Sequence, residues 1–484
     1  MKYDILVIGG GPAGVVAALR ARELGKSVAL VERDRMGGTA TNDGCAPTRV
    51  LAKTARLLRE SRQFSYYGLM GPAPELDFQR LLSRAQSIVY KIHEKKQLIQ
   101  NLRNKGVDVF HDVGSAAFVD PYTIAVPDGR QFQADKFILC TGGRSRRLDF
   151  PGEEYALTHT DLWSLKSLPR SIIIVGGAAT GCQLASIFSA FGAQVTLLER
   201  APRLLRIEDE SVAEVINQSF LSQGIQIITE IENVNQIEKN GQMLKFSFTK
   251  GGTLSHLEAE AVFLSSGWLG NLSSLNLEAA NVKSERNYVL VDDYLRTSAP
   301  HIFAAGDING RMMLVQSASY EAGIAAENAA LGVGEKYKPN IVPHGGFTDP
   351  EYAGVGLTEE QARNQGIDYL AAVVPYQNLD RAVIDDRTVG LFKLLVSQET
   401  HRILGAHVVG EQAVEIIHVI SAGMATDMWV EQLSELELAY PTFTAIIGLA
   451  ARQLSYRLGV EPLAHQWVTT DEFYPAEWEH SPNL

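Results

Sequence analysis

The chain has 484 residues, 45% hydrophobic and 21% charged, so it can bury large cores, and ordinary domain sizes predict roughly three domains. Its net charge of -12 argues against a nucleic-acid or anionic-membrane partner, because either would select for a basic face. Three cysteines provide no disulfide framework and fit a reducing compartment. No apolar run approaches the roughly 18 residues of a membrane span, so we expect a cytoplasmic protein without one.

An apolar run, a glycine-rich turn and a helical pattern follow one another at the start of the chain. Residues 4–8 predict a strand, and Gly9, Gly11 and Gly14 have the spacing of a dinucleotide-binding turn. The first glycine permits the tight turn, the second lets the backbone approach a pyrophosphate, and the third allows close helix packing. Glu32, after the second strand, is placed to bond a ribose hydroxyl. We favour this interpretation over a plain glycine turn.

A second unit of the same kind begins at residue 171. Gly176 and Gly181 hold the outer positions, but Ala178 occupies the middle one, where its methyl group should crowd a pyrophosphate and weaken or displace the nucleotide. Glu199 ends the next strand and favours NADH, because a carboxylate would repel a 2'-phosphate. A unit that only packs remains the alternative. Three arginines that would admit NADPH, or form a solvated face, are Arg200, Arg203 and Arg206.

Two such turns, with a GGT segment after the first, resemble the pyridine nucleotide-disulfide oxidoreductase family, which includes glutathione reductase, dihydrolipoamide dehydrogenase and mercuric reductase. Further segments match the family in its own order at 140–143, 263–271, 302–310, 347–363 and 402–417. The resemblance implies an α/β fold with two Rossmann-like dinucleotide-binding domains and a C-terminal α+β dimerisation domain. The implied boundaries are 1–150 and 273–340 for the FAD domain, 151–272 for the NAD(P)H domain, 341–465 for the dimerisation domain and 466–484 for a tail.

The resemblance also implies the cofactors, which are FAD at the first turn and NADH, with NADPH left open, at the second. It implies an obligate homodimer in which the C-terminal motif completes the partner's active site. Glu32 would then bind the adenosine ribose and Asp307 the ribityl chain, although Asp307 could instead bond its own turn. We expect no metal site. The other residues that the resemblance assigns to cofactor binding are Gly38, Thr39, Arg49, Thr141, Gly142 and Gly267.

The chain departs from the family at its thiol chemistry. In "GGTATNDGC", residues 37–45, Ala40 replaces the cysteine that exchanges with substrate, and Cys45 keeps the place of the one beside the flavin. In "LAYPTFTA", Tyr440 replaces the catalytic histidine and Ala445 the glutamate that orients it. Both halves of the dithiol machinery are therefore absent. An engineered Ala40 stays open as an alternative, for a protein whose native chemistry never used the other two groups.

Two further departures concern charge near the flavin. The family's lysine four residues after the second cysteine is Arg49, and its glutamate partner is Gln183. The net positive charge would stabilise an anionic reduced flavin, unless Arg49 simply binds phosphate or solvent. Cys140 and Cys182 are interpreted as structural.

The remaining chemistry is hydride transfer from nicotinamide to flavin, followed by direct passage of electrons to a small-molecule acceptor. A quinone suits a slot from which a sulfur and an imidazole are missing, and Tyr440 would donate a hydrogen bond to it or pack before a cis Pro441. One alternative is a Cys45-dependent peroxidase or thiol reductase, for which Arg49 and the flavin would lower the thiol pKa. Another is a non-catalytic FAD or NAD(H) sensor. The aromatic tail either covers a substrate mouth or is a frayed terminus, and its residues are Trp467, Phe473, Tyr474 and Trp478.

Overall fold

The structure, a computed structural model, describes residues 2–338 and 341–460. The four aromatic residues of the C-terminal tail lie outside the described residues. Contacts divide the chain into two compact units, the first comprising residues 2–54, 71–168 and 263–338, and the second residues 55–70, 169–262 and 341–460.

The strands, in chain order, are Lys2–Ile8 (β1), Val28–Val31 (β2), Val107–Phe110 (β3), Ala117–Asp120 (β4), Thr123–Ala125 (β5), Gln131–Leu139 (β6), Gly143–Ser145 (β7), Ser171–Val175 (β8), Gln194–Leu198 (β9), Gln226–Ile228 (β10), Asn233–Asn240 (β11), Met243–Lys250 (β12), Thr253–Ala259 (β13), Ala261–Leu264 (β14), Trp268–Gly270 (β15), Ser284–Glu285 (β16), Tyr288–Val289 (β17), Ile302–Ala304 (β18), His344–Gly346 (β19), Tyr352–Gly356 (β20), Tyr369–Pro375 (β21), Leu391–Ser397 (β22) and Ile403–Val409 (β23).

The α-helices are Pro12–Glu23 (α1), Gly38–Asn42 (α2), Cys45–Ser61 (α3), Phe78–Lys96 (α4), Leu98–Asn104 (α5), Ala179–Ala190 (α6), Glu210–Ser222 (α7), Val315–Leu331 (α8), Glu359–Asn364 (α9), Asp380–Ile384 (α10), Ala413–Ala425 (α11), Val430–Ser434 (α12) and Ile446–Arg457 (α13). Within the described part of the chain, no helix combines the length and apolar character needed to cross a bilayer.

The first unit is built on a sheet with the strand order β3-β2-β1-β6-β5-β4, and β18 pairs with β6. Strands β1, β2, β3, β6 and β18 run parallel, whereas β4 and β5 form an antiparallel edge. The last four residues of β1, Ile5 to Ile8, are all buried, as expected for a strand that is covered on both faces. Helices α1 and α8 pack together on one face of the sheet. The first glycine turn follows β1 directly, so it lies at the carboxyl end of a buried strand.

The second unit contains three sheets. A sheet with the order β10-β9-β8-β14 carries the second glycine turn after β8, whose pairing with β9 is parallel. Strands β11 to β13 form an antiparallel meander. The third sheet is antiparallel, with the order β19-β20-β23-β22-β21, and it packs against α11 and α13 around one apolar core. The α/β class, with Rossmann-type sheets and a C-terminal α+β dimerisation domain, is confirmed.

Candidate functional site

The first glycine turn is closed by backbone contacts that leave no room for side chains. Gly9 has a φ of 108°, and a Cβ atom there would lie 2.2 Å from the carbonyl oxygen of Cys140. A Cβ atom at Gly14 would lie 1.7 Å from the carbonyl oxygen of Gly9. At Gly11, by contrast, a Cβ atom would meet only the Cα atom of Gly38 at 3.7 Å, an ordinary van der Waals distance. The middle glycine therefore presents bare backbone to a ligand, while the outer two serve the turn and the helix packing.

The amino end of α1 suits a pyrophosphate. Its N-cap residue, Gly11, supplies no side chain to bond the free N–H groups of the first turn. Those donors and the helix dipole are the groups that bind phosphate oxygens in proteins. The residues present therefore fit the pyrophosphate of FAD.

Glu32 lies beside this turn. One carboxylate oxygen accepts the N–H of Gly10, and the other accepts the N–H of Asp34 over 2.9 Å. Each oxygen retains a lone pair, so the carboxylate can also accept a ribose hydroxyl. A small cleft adjoins it, and the residues that line the cleft are Ile8, Gly9, Val31, Glu32, Arg33, Gly114, Ser115, Ala116, Thr141, Asn271, Ser274 and Leu275.

The segment that carries the cysteine position is a short helix packed against the first turn. Gly37 and Gly38 both have positive φ, 100° and 58°, and a Cβ atom at Gly38 would lie 2.9 Å from the Cα atom of Gly11. This close approach brings α2 alongside the pyrophosphate position. Thr39 is the second residue of α2, and its carbonyl oxygen accepts the N–H of Gly44 over 2.7 Å.

Cys45 is the first residue of α3 and is exposed to solvent, and Arg49 follows one turn later on the same helix, also exposed. The pKa of the Cys45 thiol is raised above its usual value, because the surrounding protein desolvates the sulfur and the Asp307 carboxylate repels a thiolate. The described residues therefore do not produce the expected lowering of this pKa, since desolvation and the Asp307 charge outweigh the hydrogen bond from the Cys45 backbone N–H.

The loop between α2 and α3 is anchored by side chains more than a hundred residues away. The indole N–H of Trp163 donates to the backbone oxygen of Asp43 over 2.8 Å, and the hydroxyl of Thr160 donates to its carboxylate over 3.2 Å. His159 lies beside them, with Nε2 3.9 Å from the same carboxylate and Nδ1 2.8 Å from Ser145 Oγ. Burial lowers the pKa of His159, which favours its neutral form. Sequence reasoning missed this cluster, since no local pattern marks it.

Thr141, Gly142 and Gly267 form a backbone frame near the same place in the first unit. The hydroxyl of Thr141 donates to the carbonyl oxygen of Asn271 over 2.8 Å, and the amide of Asn271 donates back to the oxygen of Thr141 over 2.9 Å. Gly142 has a φ of 68° and nothing within 4 Å of a Cβ position, so its backbone is open to a ligand. Gly267 has a φ of 106° and its oxygen accepts the N–H of Arg146. Its described role is therefore to turn the chain.

Asp307 begins a single 3-10 turn after β18. A Cβ atom at Gly143 would lie 3.3 Å from Asp307 Oδ2, so the carboxylate lies over a bare backbone position. Burial raises the pKa of Asp307. The turn itself is held by Glu321, which is fully buried on α8 and accepts the N–H of Gly306 and the side-chain amide of Asn309, each over 2.7 Å. No local sequence pattern marks Glu321 as part of this site.

The second glycine turn repeats the first in detail. Gly176 has a φ of 112°, and Glu199 accepts the N–H of Gly177 just as Glu32 accepts that of Gly10. Ala178 is the N-cap of α6, has an extended conformation, is exposed and supplies no capping bond, so the donors of this helix are also free for phosphate. Gly181 is buried in the first turn of α6. These residues fit a second dinucleotide.

The three arginines after Glu199 differ in their surroundings. Arg203 donates to the backbone oxygens of Leu205, Arg206 and Glu208 over 3.0, 3.0 and 3.1 Å. Its guanidinium is occupied in shaping the loop, so it neither forms a solvated face nor stands ready for a 2'-phosphate. Arg200 and Arg206 are exposed.

The remaining candidate residues lie in the second unit. Gln183 is partly buried on α6. Tyr440 is 58% exposed, its hydroxyl donates to Asp380 over 2.6 Å, and its peptide bond to Pro441 is cis. Ala445 ends a 3-10 turn before α13.

Both other cysteines are buried, Cys140 in the core of the first unit and Cys182 in α6, in agreement with a structural role.

The chain matches two family models, the pyridine nucleotide-disulphide oxidoreductase model over residues 3–322 and that family's dimerisation domain over residues 342–451. It is 32% identical to a mercuric reductase of Lysinibacillus sphaericus over 453 residues, which cover 93% of this chain and 82% of that protein. It is 30% identical to a dihydrolipoyl dehydrogenase of Bacillus subtilis over 466 residues, which cover 93% and 97%.

Among solved structures, the Cu(II) complex of the HOCl-induced flavoprotein disulfide reductase RclA from Escherichia coli superposes with a TM-score of 0.83 at 28% identity, covering 94% of this chain and 100% of that chain. The match to the dimerisation domain supports a homodimer. The predicted cofactors are those of the family, in which FAD is bound and NAD(P)H donates the electrons. The chain belongs to the pyridine nucleotide-disulphide oxidoreductase family.

Proposed function

We propose that this protein is an FAD-dependent NAD(P)H oxidoreductase that passes electrons from the reduced flavin directly to a small-molecule acceptor, specifically a quinone. The observation that carries the proposal is the isolation of Cys45. Ala40 stands where a partner thiol would be, and the other two cysteines of the chain are buried and free. A dithiol relay needs two sulfurs that can form a disulfide, so electrons must leave by another route.

The side chains and backbone of the described residues support the reductive half of this reaction. Bound FAD would supply the two-electron chemistry that amino-acid side chains lack. The bare backbone at Gly11 and the open amino end of α1 would hold its pyrophosphate, Glu32 its ribose and Asp307 its ribityl hydroxyls. Glu199 and the amino end of α6 would hold NADH, because the carboxylate disfavours a 2'-phosphate.

For the oxidative half, we assign Tyr440 as a hydrogen-bond donor to the acceptor. Its phenol is exposed, and its one hydroxyl proton, which bonds Asp380 over 2.6 Å, would turn from that carboxylate to the acceptor. A phenol with a pKa near 10 can donate a hydrogen bond at pH 7 but cannot serve as the general base that a dithiol mechanism requires.

A thiol-dependent acceptor is the second candidate, favoured by the exposure of Cys45 and by the activities for which the relatives are named. The raised pKa of Cys45 argues against it, because the thiolate is the reactive form. A non-catalytic sensor would have no acceptor at all.

The test is an anaerobic titration of the FAD-loaded protein with NADH, followed by separate mixing with a quinone, with hydrogen peroxide and with a small disulfide. Reduction by NADH and rapid reoxidation by the quinone, unchanged in Cys45→Ser, is the expected result. Reoxidation by peroxide or disulfide that disappears in Cys45→Ser would establish the second candidate. A flavin that neither NADH nor NADPH reduces would leave the sensor.

A further inference from the structure

A buried ionic cluster lies at the end of the loop that follows Glu199. Lys393, on β22, is 4% exposed, and its ammonium donates to Asp209 over 2.9 Å and to Glu359 over 2.6 Å. Asp209 is 2% exposed and also accepts the N–H groups of Ser211 and Glu359, over 3.0 and 3.2 Å. This single aspartate therefore caps α7 and ties it to β22 and to the start of α9.

The residue before it makes a second buried contact with the same antiparallel sheet. Glu208 is 5% exposed, and its carboxylate lies 3.0 Å from Nε2 of His344 on β19. His407 adjoins the pair, because a Cβ atom at Gly354 would lie 2.9 Å from His407 Nδ1 and 3.4 Å from His344 Nε2. Nε2 of His407 bonds the oxygen of Leu357.

Protonation of His344 reduces the excess negative charge of this cluster but does not cancel it. Glu208, Asp209 and Glu359 contribute three carboxylates, against the one ammonium of Lys393. Burial opposes charge on His344, but its bond to Glu208 outweighs burial and raises its pKa. Burial lowers the pKa of the neighbouring His407, which favours its neutral form. His407 interacts electrostatically with Glu208, Asp209 and His344, and Tyr352 interacts with Glu208 and Cys182. Lys393 contacts Asp209.

Backbone contacts connect this cluster to the second glycine turn. Arg203 bonds the oxygens of Glu208 and Leu205, and the N–H of Leu205 donates to the oxygen of Gly177 over 2.9 Å. Glu199 accepts the N–H of Gly177 with one oxygen and that of Ala201 with the other. The loop of residues 200–209 is thus fixed at both ends, at the second glycine turn and at the antiparallel sheet that contains β19 and β22.

We propose that the buried cluster of Glu208, Asp209, His344 and Lys393 is a positioning device for the nicotinamide dinucleotide, which holds loop 200–209 so that Glu199 meets the ribose. The inference rests on the proposed binding of NAD(P)H at the second turn. None of the four residues needs to touch the nucleotide. They act through the loop, and because a well-placed loop stabilises bound nucleotide equally before and during hydride transfer, its loss should weaken binding and leave the transfer rate unchanged.

The experiment measures flavin reduction by NADH in anaerobic stopped flow, with no electron acceptor, so the identity of the acceptor has no bearing on it. The NADH dependence of the rate yields a Kd and a limiting rate. Glu208→Gln and Asp209→Asn should raise the Kd about tenfold and leave the limiting rate within about twofold. Glu238→Gln, in the exposed Glu238–Lys245 pair, is the matched control and should change neither.

The pH dependence provides a readout that simple destabilisation would not produce. Since the folded pKa of His344 is raised above its ordinary value, the Glu208 ion pair is complete below about pH 6.5 and is lost as the pH rises through the folded pKa. The Kd of the wild-type protein should therefore increase with pH over that range. In Glu208→Gln and in His344→Gln, whose side chain is only partly buried, this dependence should disappear.

An unchanged Kd in FAD-loaded, folded Glu208→Gln and His344→Gln would overturn the proposal. So would a limiting rate that falls while the Kd stays constant, because the cluster would then act on the transfer step. If NADH reduces the flavin with the predicted Kd changes but a quinone does not reoxidise it, the proposed function fails and this inference stands.

Discussion

The indole N–H of Trp163 donates a 2.8 Å hydrogen bond to the backbone carbonyl oxygen of Asp43, two residues before Cys45. This bond joins the loop between α2 and α3 to a segment 120 residues further along the chain. Because a short loop has few contacts of its own, an external anchor of this kind determines how firmly the thiol is held.

Trp163→Phe keeps the ring and removes the donor. The carbonyl of Asp43 then loses the indole donor, which lowers the free energy of unfolding by about 1 kcal/mol and loosens the loop. We expect Cys45 to react several times faster with a neutral maleimide at fixed pH, while FAD stays bound. Trp429→Phe, which changes a half-exposed tryptophan of the second unit, should leave the rate unaltered. Equal rates in Trp163→Phe and wild type would mean that the loop is held by other contacts.

The raised pKa of Cys45 predicts a shifted alkylation profile in FAD-depleted protein. An ordinary thiol has its titration midpoint at about pH 8.5. Because desolvation and the Asp307 carboxylate both disfavour the Cys45 thiolate, alkylation of Cys45 by iodoacetamide should continue to accelerate above that pH. Asp307→Asn removes the repelling charge and should move the midpoint downward. A wild-type midpoint below that of a free cysteine would contradict the assignment and revive the peroxidatic candidate.

Ala40→Cys restores the family's cysteine spacing. Residue 40 lies in α2 and residue 45 begins α3, so we expect the new thiol to form a disulfide with Cys45. The free thiols measured in denaturant without reductant should fall from the wild-type three to two. Disulfide reductase activity should not follow, because Tyr440 and Ala445 supply neither the base nor its orienting carboxylate. Four free thiols would show that the two positions do not meet.

Two alanine substitutions in the first turn should have opposite outcomes, although each adds one methyl group. Gly14→Ala places Cβ 1.7 Å from the oxygen of Gly9, so the backbone must move and FAD should be lost. Gly11→Ala meets nothing closer than 3.7 Å, so the protein should fold and bind FAD more weakly, as the methyl of Ala178 should weaken the second nucleotide. Flavin content per protein, measured by absorbance, separates them. Equal losses would show that the ligand contact, rather than the turn, limits both.

Lys393→Met tests the stability of the buried cluster. Removing the ammonium leaves Asp209 buried without its cation, which should lower the free energy of unfolding by about 3 to 5 kcal/mol in a urea titration. Lys245→Met, in the exposed pair with Glu238, should cost less than about 1 kcal/mol. If both variants lost the same small amount, the buried carboxylates would have to be protonated in the native state.

The local sequence was sufficient to predict a feature where one short segment contains all the residues that the feature needs. The α/β class, the family and the FAD and NAD(P)H cofactors followed from two strand-turn-helix patterns and from the order of the matching segments, and these predictions are confirmed. The individual site residues stay predictions. Arg203 shows the limit of such reasoning, because its place after Glu199 suggested either a 2'-phosphate contact or a solvated face, whereas its guanidinium bonds the carbonyl groups of its own loop.

By itself, the sequence determined the two nucleotide turns and the absence of a second thiol, since both depend on residues adjacent in the chain. Only the tertiary structure decided which distant groups support those sites: Trp163 on the Cys45 loop, Glu321 behind Asp307, and Lys393 on Asp209. The physical reason is that a buried donor or charge must find its partner wherever the fold places one, and the distance along the chain carries no record of that pairing.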